Sequence, residues 1–252
     1  MIVALLTDFG DSHYVGQMKG VILSNNDAAS IVDITHSVPF HSVVSGAWRL
    51  LQSYKEFPAG TIFLAVVDPG VGTGRKALAV KSRNYFFVGP DNGLLFSAAK
   101  EDGIIESVSL DCEKIDKETG KRRISNTFHG RDIFARAAAI ISRTGNILRV
   151  GKKNVGMIKL DVLPKKKSGL IVDIDSFGNV TTNILPPGKR KKIKFLIKQR
   201  EIELKFVKTF ADLERNELGA LTGSAGTLEI VANQAPASQI LKANIGMKLA
   251  LR

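Results

Sequence analysis

The segment Thr61–Arg75, T-I-F-L-A-V-V-D-P-G-V-G-T-G-R, decides the predicted fold. Its apolar run, Ile62–Val67, does not alternate with polar residues, which is typical of a strand buried on both faces of a sheet. Pro69 cannot extend a central strand, so Asp68 is predicted at the strand's carboxyl end. Three glycines then allow a sharp turn that brings Arg75 back toward Asp68. Ligands bind at this edge of open α/β sheets, although a buried turn with a surface ion pair fits the segment about equally well.

The glycines of this loop do not form a phosphate-binding P-loop, because no Gly-Lys-Ser/Thr ends it. A cradle for nucleotide phosphates is therefore disfavoured. The whole chain has 252 residues, 44% of them hydrophobic, which suits one large domain or two unequal ones. Its single cysteine, Cys112, excludes an internal disulfide and a cysteine-based zinc site.

No metal site is predicted, because no His, Asp and Glu residues cluster at metal-ligand spacing. No apolar run approaches the length that crosses a membrane, and the apolar N-terminus lacks the basic segment of a signal peptide. These features predict a cytoplasmic protein that does not contact a membrane.

The net charge of +12 makes a nucleic-acid partner one candidate. The basic residues form short runs, Lys121–Arg123, Lys165–Lys167 and Lys189–Lys192, without the aromatic residues that stack on bases. A solvated basic surface is the favoured interpretation, and nucleic acid is disfavoured as a partner.

A second carboxylate follows the first predicted strand, Ile2–Leu6. Asp8 is thus placed like Asp68, at a strand's carboxyl end, where a carboxylate can accept hydrogen bonds from both hydroxyls of a ribose. The alternative is that an aspartate here caps the following helix, and for Asp11 that role is favoured.

Another candidate lies in the segment Ser125–Asp132, S-N-T-F-H-G-R-D, which precedes a predicted alanine-rich helix at Ile133–Ser142. His129 lies just before the helix N-terminus, where oriented N–H groups favour negative charge. Taken singly, such a histidine is more often a structural loop residue. Residues 111–124 are polar and charged, and we expect a surface loop there.

The predicted organisation is an α/β N-terminal domain with a central, mostly parallel sheet over residues 1–163, followed by a linker at residues 164–168. Beyond the linker, short β-type runs separated by turn residues predict a smaller all-β domain, an antiparallel barrel over residues 169–252. Its first hairpin turn carries Asp175 and Asn179, and a later glycine turn lies between Ser224 and Glu229.

Five motifs in order resemble the S-adenosyl-L-methionine (SAM) hydroxide adenosyltransferases, a family related to the fluorinases and chlorinases. They are Thr7-Asp-Phe-Gly10, Asp68-Pro-Gly-Val-Gly with Arg75, Thr127-Phe-His-Gly-Arg-Asp132, Asp175-x-Phe-Gly-Asn179 and Gly223-Ser-Ala-Gly-Thr-Leu-Glu229. The resemblance implies hydrolysis of SAM to adenosine and methionine, with SAM as substrate and no cofactor. It also implies a homotrimer whose sites lie between the N-terminal domain of one subunit and the C-terminal domain of its neighbour.

The resemblance further implies a catalytic set of Asp68, Arg75 and His129. In the halogenases the related positions hold other residues, so their retention favours the hydrolytic branch. The implied substrate contacts are Asp8 for the ribose, Asn179 and the segment from Glu229 to Ala232 for adenine, and Asp175 and Ser224 for the amino and carboxylate groups of methionine.

Two alternatives of other kinds remain open at this point. A protein that binds adenosine or SAM without turnover needs the same binding turns. A SAM-dependent halogenase needs the same substrate site, with a halide in place of water.

Overall fold

The computed structural model describes residues 1–120, 125, 127–154, 156–188 and 190–252. The basic run predicted at Lys121–Arg123, residue Lys189 of another run, and Asn126 of the histidine motif lie outside these residues. The chain divides into two compact units, Met1–Asp161 and Val162–Arg252. Residues 164–168, the predicted linker, belong to the second unit, where Lys165 forms a parallel bridge with Ile184.

The first unit alternates strands with helices. Its strands are β1 (Ile2–Thr7), β2 (Ser30–Thr35), β3 (Ile62–Val66), β4 (Ala77–Ser82), β5 (Phe86–Pro90), β6 (Ile104–Leu110) and β7 (Gly151–Lys153). Its helices are α1 (His13–Asn25), α2 (Val43–Ser53), α3 (Phe96–Asp102), α4 (Cys112–Thr119) and α5 (Arg136–Thr144), with a π-helical turn at Gly130–Ala135 and 3-10 turns at Tyr54–Glu56 and Ile147–Arg149.

The described strands of this unit form one sheet in the order β2-β1-β3-β5-β4-β6-β7. The pairings from β2 to β5 are parallel, and those of β4 with β5, β4 with β6 and β6 with β7 are antiparallel. Strand β3 is buried along its whole length, as its apolar run predicts. Because Leu5 pairs with Leu64 and Thr7 with Val66, the carboxyl ends of β1 and β3 lie side by side.

Helices α1 and α5 cover one face of the sheet. Met18 and Ile22 of α1 and Ile140 of α5 belong to one buried cluster with Leu5 and Leu64. The π-helical turn before α5 is part of the same cluster, so burial fixes its position against the sheet. Among the described residues, no helix is both long and apolar enough to cross a lipid bilayer.

Two local predictions in this unit are wrong. The expected surface loop at residues 111–124 contains helix α4, which Asp111 caps by accepting hydrogen bonds from the backbone N–H groups of Glu113 and Lys114. This helix has only eight residues and fully buries only Ile115, so its apolar pattern is short. The residue that caps α1 is Ser12 and not Asp11, because the Ser12 hydroxyl accepts from the backbone N–H of Tyr14.

The second unit is the predicted barrel. Its strands are β8 (Ser168–Ile174), β9 (Val180–Thr182), β10 (Lys192–Ile197), β11 (Arg200–Phe206), β12 (Leu218–Thr222), β13 (Leu228–Ala232) and β14 (Lys248–Leu251), with a 3-10 turn at Phe210–Asp212 and a short helix, α6, at Ala237–Ile240. They close in the order β10-β11-β12-β13-β9-β8-β14. The described pairings are antiparallel except that of β11 with β12. The predicted fold class, an α/β domain with a C-terminal barrel, is confirmed.

Gly89 allows β5 to lie close to β3, because a β-carbon at this position would collide with the carbonyl oxygen of Ala65. We expect Gly89→Ala to lower the free energy of unfolding by about 1–3 kcal/mol, since the strands must separate to admit a methyl group. Gly20→Ala is the matched control, because Gly20 lies in α1 with open space at its β-carbon. In the control, the free energy of unfolding should rise by roughly 0.5–1 kcal/mol, because alanine is favoured over glycine within a helix. Urea unfolding followed by circular dichroism measures both changes, and equal stabilities would contradict the expected strand contact.

Candidate active site

The loop after β3 returns Arg75 to Asp68. Its turns are closed by hydrogen bonds from the backbone N–H of Val71 to the Asp68 carbonyl (3.3 Å) and from the backbone N–H of Thr73 to the Gly70 carbonyl (3.1 Å). The Arg75 guanidinium then donates from Nε to Asp68 Oδ1 (2.9 Å) and from Nη2 to Asp68 Oδ2. The two side chains are 10% and 6% exposed, so this bidentate pair is almost removed from water.

His129 completes a connected set of three side chains. It precedes the π-helical turn Gly130–Ala135, a feature often found at functional sites. Its Nδ1 lies 2.9 Å from Nη2 of Arg75. Phe134, from the same π-helical turn, packs its ring against the Arg75 guanidinium, with 5.2 Å between the ring centroid and Cζ. The structure thus brings the three predicted catalytic side chains together, although they come from two loops far apart in sequence.

The contact with Arg75 fixes the tautomer of His129. A guanidinium has only donors, so Nδ1 of His129 must accept the hydrogen bond and carries no proton. The proton of the neutral ring is therefore on Nε2. An imidazolium would place an N–H of Nδ1 against an N–H of Arg75, and two positive charges beside each other. The arrangement gives His129 the role of a hydrogen-bond donor through Nε2.

A cavity of about 790 Å³ opens over these residues. Asp8, Asp68 and His129 all line it, which agrees with the side-by-side ends of β1 and β3. The other lining side chains combine aromatic surface with a few polar groups, and include Phe9, Ser12, Tyr14, Gln17, Phe40, His41, Val71, Ser125, Thr127, Phe128 and Arg131. Such a mixture is typical of pockets that bind small organic molecules.

Asp8 is nearly buried, at 9% exposure, and His41 orients its carboxylate. The backbone N–H of His41 donates to Asp8 Oδ2 across 3.0 Å, with His41 held at a φ of 61°. The imidazole stacks on Phe40, whose ring is 77% exposed at the cavity mouth. Neither Phe40 nor His41 was selected from the sequence as a site residue. The signal was weak, because the positive φ at His41 has no glycine to mark it.

Arg131 and Asp132 stabilise the wall of this cavity beside His129. Arg131 donates to both oxygens of Asp132 (2.7 and 2.9 Å) and to Oε1 of Gln17 in α1 (3.1 Å). Its guanidinium also lies over the ring of Phe128, 5.3 Å from the centroid. These contacts hold the start of the π-helical turn against α1.

A second cavity, of about 860 Å³, lies in the barrel unit. All five predicted substrate-binding residues of this unit line it: Asp175, Asn179, Ser224, Glu229 and Ala232. Phe177 and Phe210, which are 78% and 43% exposed, add aromatic surface, and Lys208 adds a cation. Phe210 and Lys208 were not selected from the sequence, because they lie on a loop between β11 and β12 that carries no recognisable motif.

Asp175 and Asn179 are bound to each other in the turn between β8 and β9. Oδ1 of Asp175 accepts from the backbone N–H groups of Phe177 (3.0 Å) and Asn179 (2.8 Å), and Oδ2 accepts from Nδ2 of Asn179 (2.9 Å). The Asp175 carboxylate therefore holds the shape of its own turn. The environment of Glu229 differs. Burial, and then the negative charge of Asp175, raise the pKa of the Glu229 carboxyl.

The sequence matches the SAM hydroxide adenosyltransferase N-terminal domain over residues 3–151 and the C-terminal domain of the same family over residues 169–250. The chain belongs to the SAM hydroxide adenosyltransferase family. It is 36% identical to the (R)-S-adenosyl-L-methionine hydrolase of Methanocaldococcus jannaschii, over 95% of this chain and 91% of that relative.

Two further comparisons agree with this membership. A crystal structure of an uncharacterized conserved protein from Thermotoga maritima is 36% identical and superimposes with a TM-score of 0.84, covering 100% of both chains. A fluorinase from Actinoplanes sp. is 26% identical over 93% of this chain and 92% of its own length. The predicted family and its relation to the fluorinases are both confirmed.

The tautomer of His129 can be observed directly. In protein labelled with ¹⁵N-histidine, we expect Nδ1 of His129 to resonate as an unprotonated acceptor nitrogen and Nε2 as a protonated one at neutral pH, because Arg75 occupies Nδ1. The His129→Asn variant assigns the signals among the four histidines. In Arg75→Met the constraint is lost, and the two nitrogens should move toward averaged shifts. A protonated Nδ1 in the unaltered protein would contradict donation from Arg75 to His129.

Proposed function

We propose that this protein hydrolyses SAM to adenosine and L-methionine, and that its substrate is the (R) sulfonium epimer. The observation that supports the reaction most directly is the hydrogen-bonded set Asp68, Arg75 and His129, two members of which line a cavity with Asp8. Support for the epimer comes from the name of the M. jannaschii relative, an (R)-S-adenosyl-L-methionine hydrolase.

The reaction is a substitution at C5′ of the ribose. The oxygen of water forms a bond to C5′ while the C5′–S bond breaks, and its electron pair stays on sulfur. Methionine leaves as a neutral thioether, so the leaving group needs no proton. One proton of the water must be removed, and water is a weak nucleophile until that happens. Catalysis therefore depends on holding the water in line with the C–S bond and accepting its proton.

The geometry supports a division of these tasks among three side chains. His129 presents the N–H of Nε2, which can donate to the water oxygen and stabilise the negative charge that develops there. Asp68 presents carboxylate oxygens that accept a proton of the water. Arg75 touches both side chains and positions them, because its bonds to Asp68 Oδ1 and to His129 Nδ1 are each 2.9 Å long. In this proposal a proton acceptor and a fixed donor act on one water molecule.

The two cavities support the proposed substrate contacts. Asp8 is the proposed partner of the ribose hydroxyls, since the backbone of His41 already orients its carboxylate. Asn179 and the segment from Glu229 to Ala232 are the proposed contacts of adenine. Asp175 and Ser224 are the proposed contacts of the methionine end. A homotrimer with sites between subunits is proposed from the family resemblance. The cytoplasm is the proposed location, since one free cysteine suits a reducing compartment.

Asp68→Asn tests the proton acceptor. We expect turnover of SAM to fall by roughly 10²–10⁴-fold, because an amide keeps the shape of the side chain and cannot take the proton. Adenosine formation is followed by liquid chromatography. Asp161→Asn is the matched control, since this exposed carboxylate pairs with Lys100 at 3.4 Å and lies outside the cavity, and it should leave turnover unchanged.

Full turnover in Asp68→Asn would contradict the proposed mechanism. If the unaltered protein binds SAM and forms no adenosine, the chain is a binding protein instead. A 5′-halogenated product in the presence of chloride or fluoride would identify it as a halogenase.

Asp8→Asn tests the ribose site separately from the chemistry. A bond from a ribose hydroxyl to a carboxylate is charge-assisted, so its loss should weaken adenosine binding by about 10–100-fold. The measurement is titration calorimetry with adenosine and, as a matched ligand, 2′,3′-dideoxyadenosine, which lacks both hydroxyls. The unaltered protein should prefer adenosine, and the variant should bind both compounds alike. An undiminished preference in the variant would exclude Asp8 as the ribose ligand.

A further inference from the structure

The loop that follows β2 holds the turn that carries Asp8. The backbone N–H of Gly10 donates to the carbonyl oxygen of His36 (2.8 Å), and the backbone N–H of Val38 donates to that of Thr7 (3.3 Å). These two bonds lie on opposite sides of Asp8 in the sequence. The residues before and after Asp8 are therefore fixed to one neighbouring loop.

The side chain of His36 adds a third connection to this turn. Its Nδ1 lies 2.9 Å from Oγ1 of Thr7, a residue that is fully buried. The same hydroxyl oxygen accepts a hydrogen bond from the backbone N–H of Phe9, at 3.2 Å. The hydroxyl still has its own hydrogen to donate, and Nδ1 is the nitrogen that can accept it. A chain of contacts thus leads from His36 through Thr7 to the residue that follows Asp8.

Asp33 selects the tautomer of His36 that this bond requires. Nε2 of His36 is buried and lies 3.1 Å from Oδ1 of Asp33, off the line of an ideal hydrogen bond. A carboxylate oxygen presents only lone pairs, so an unprotonated Nε2 would be repelled by it. The proton of the neutral ring therefore lies on Nε2, which leaves Nδ1 as an acceptor. Lys19 of α1 donates to Oδ2 of Asp33 across 2.6 Å and holds this carboxylate.

The contact between Asp33 and His36 depends on an irregularity in the sheet. Residues three apart in a regular strand point to opposite faces. Leu5 of β1 pairs with Asp33, but the next residue of β1 pairs with Thr35, so β2 holds one extra residue there. Such bulges redirect side chains and are frequent next to active sites. This bulge accounts for the meeting of Asp33 with His36 at the carboxyl end of β1.

We propose that His36 is a positioning residue for Asp8, and that Asp33 orients it for this task. The inference rests on the proposed function, in which Asp8 binds the ribose hydroxyls. His41 belongs to the same loop and donates its backbone N–H to Oδ2 of Asp8. A shift of this loop would therefore move both the backbone and the carboxylate of Asp8. His36 connects the loop to the turn through its side chain and its carbonyl group.

His36→Leu in the full-length protein tests the proposal. Leucine fills much of the space of the ring and has no nitrogen to bond to Thr7. The preference for adenosine over 2′,3′-dideoxyadenosine, measured as the ratio of their Kd values by calorimetry, should fall about 3–10-fold, because a buried hydrogen bond that holds the turn is lost. The matched control is His13→Leu, since His13 is an exposed residue at the start of α1 outside the cavity. The control should keep the full preference.

His36→Asn separates positioning from packing. The amide oxygen of asparagine takes nearly the place of Nδ1, so it can accept from the Thr7 hydroxyl. This variant should therefore keep most of the preference for adenosine that His36→Leu loses. A role in packing alone predicts the reverse order, because leucine replaces the volume of the ring better than asparagine does. A lower preference in His36→Asn than in His36→Leu would contradict the inference.

A double variant shows whether His36 acts through Asp8. In the Asp8→Asn background, His36→Leu should not weaken adenosine binding further, because the group that it positions is already altered. Thr7→Val removes the same hydrogen bond from the other partner and nearly keeps the shape of the side chain. It should show the same loss of preference, and it replaces His36→Leu if circular dichroism shows that His36→Leu does not fold.

The outcomes distinguish this inference from the proposed function. An unchanged preference for adenosine in His36→Leu and Thr7→Val would overturn the role of His36. A further loss of adenosine affinity in the Asp8→Asn background would overturn it as well, since His36 would then act on another group. If the unaltered protein forms no adenosine from SAM, the proposed function fails. The ligand preferences of the variants still decide the role of His36 in that case.

Discussion

The guanidinium of Arg75 holds Asp68 and His129 in one hydrogen-bonded set, and the geometry of the N-terminal cavity depends on that contact. A carboxylate that is only 6% exposed requires a partner, because an unpaired charge in such a position is strongly destabilising. The planar fork of arginine satisfies both oxygens and still has a donor for an imidazole, which a lysine could not do in one plane. The ring of Phe134 packs against one face of the guanidinium and limits its movement.

The sheet determines where Asp8 and Asp68 lie relative to each other. Parallel pairing of β1 with β3 puts Asp8 and Asp68 at one edge of the sheet. The backbone of His41, from another loop, then holds Asp8, and the turns around Gly70 shape the loop of Asp68. The scaffold therefore sets the distance between the proposed ribose site and the proposed nucleophile site, and the loops set the direction of each carboxylate.

The parts of this fold that could be predicted from sequence are those with a strong local signal. The apolar run of β3, ended by Pro69, marks a buried central strand, and the order of the five motifs indicates the family. Helix α4 has eight residues and fully buries one side chain, so its apolar pattern is a weak signal. His41 has a positive φ although it is not a glycine, and its contact with Asp8 joins loops 33 residues apart. Such contacts depend on the tertiary structure, and no sequence pattern encodes them.

The pairing of Asp68 with Arg75 also has a consequence for the proposed reaction. An isolated carboxylate next to C5′ would attract the sulfonium of SAM, whose positive charge disappears as the C–S bond breaks. That attraction would stabilise the bound substrate more than the transition state, and turnover would be slower. Arg75 offsets the net charge of Asp68 but leaves its oxygens as acceptors for a water molecule. In the proposed reaction, the site can therefore polarise the nucleophile without strengthening the binding of the substrate's sulfonium, which gives a reason for an arginine beside Asp68.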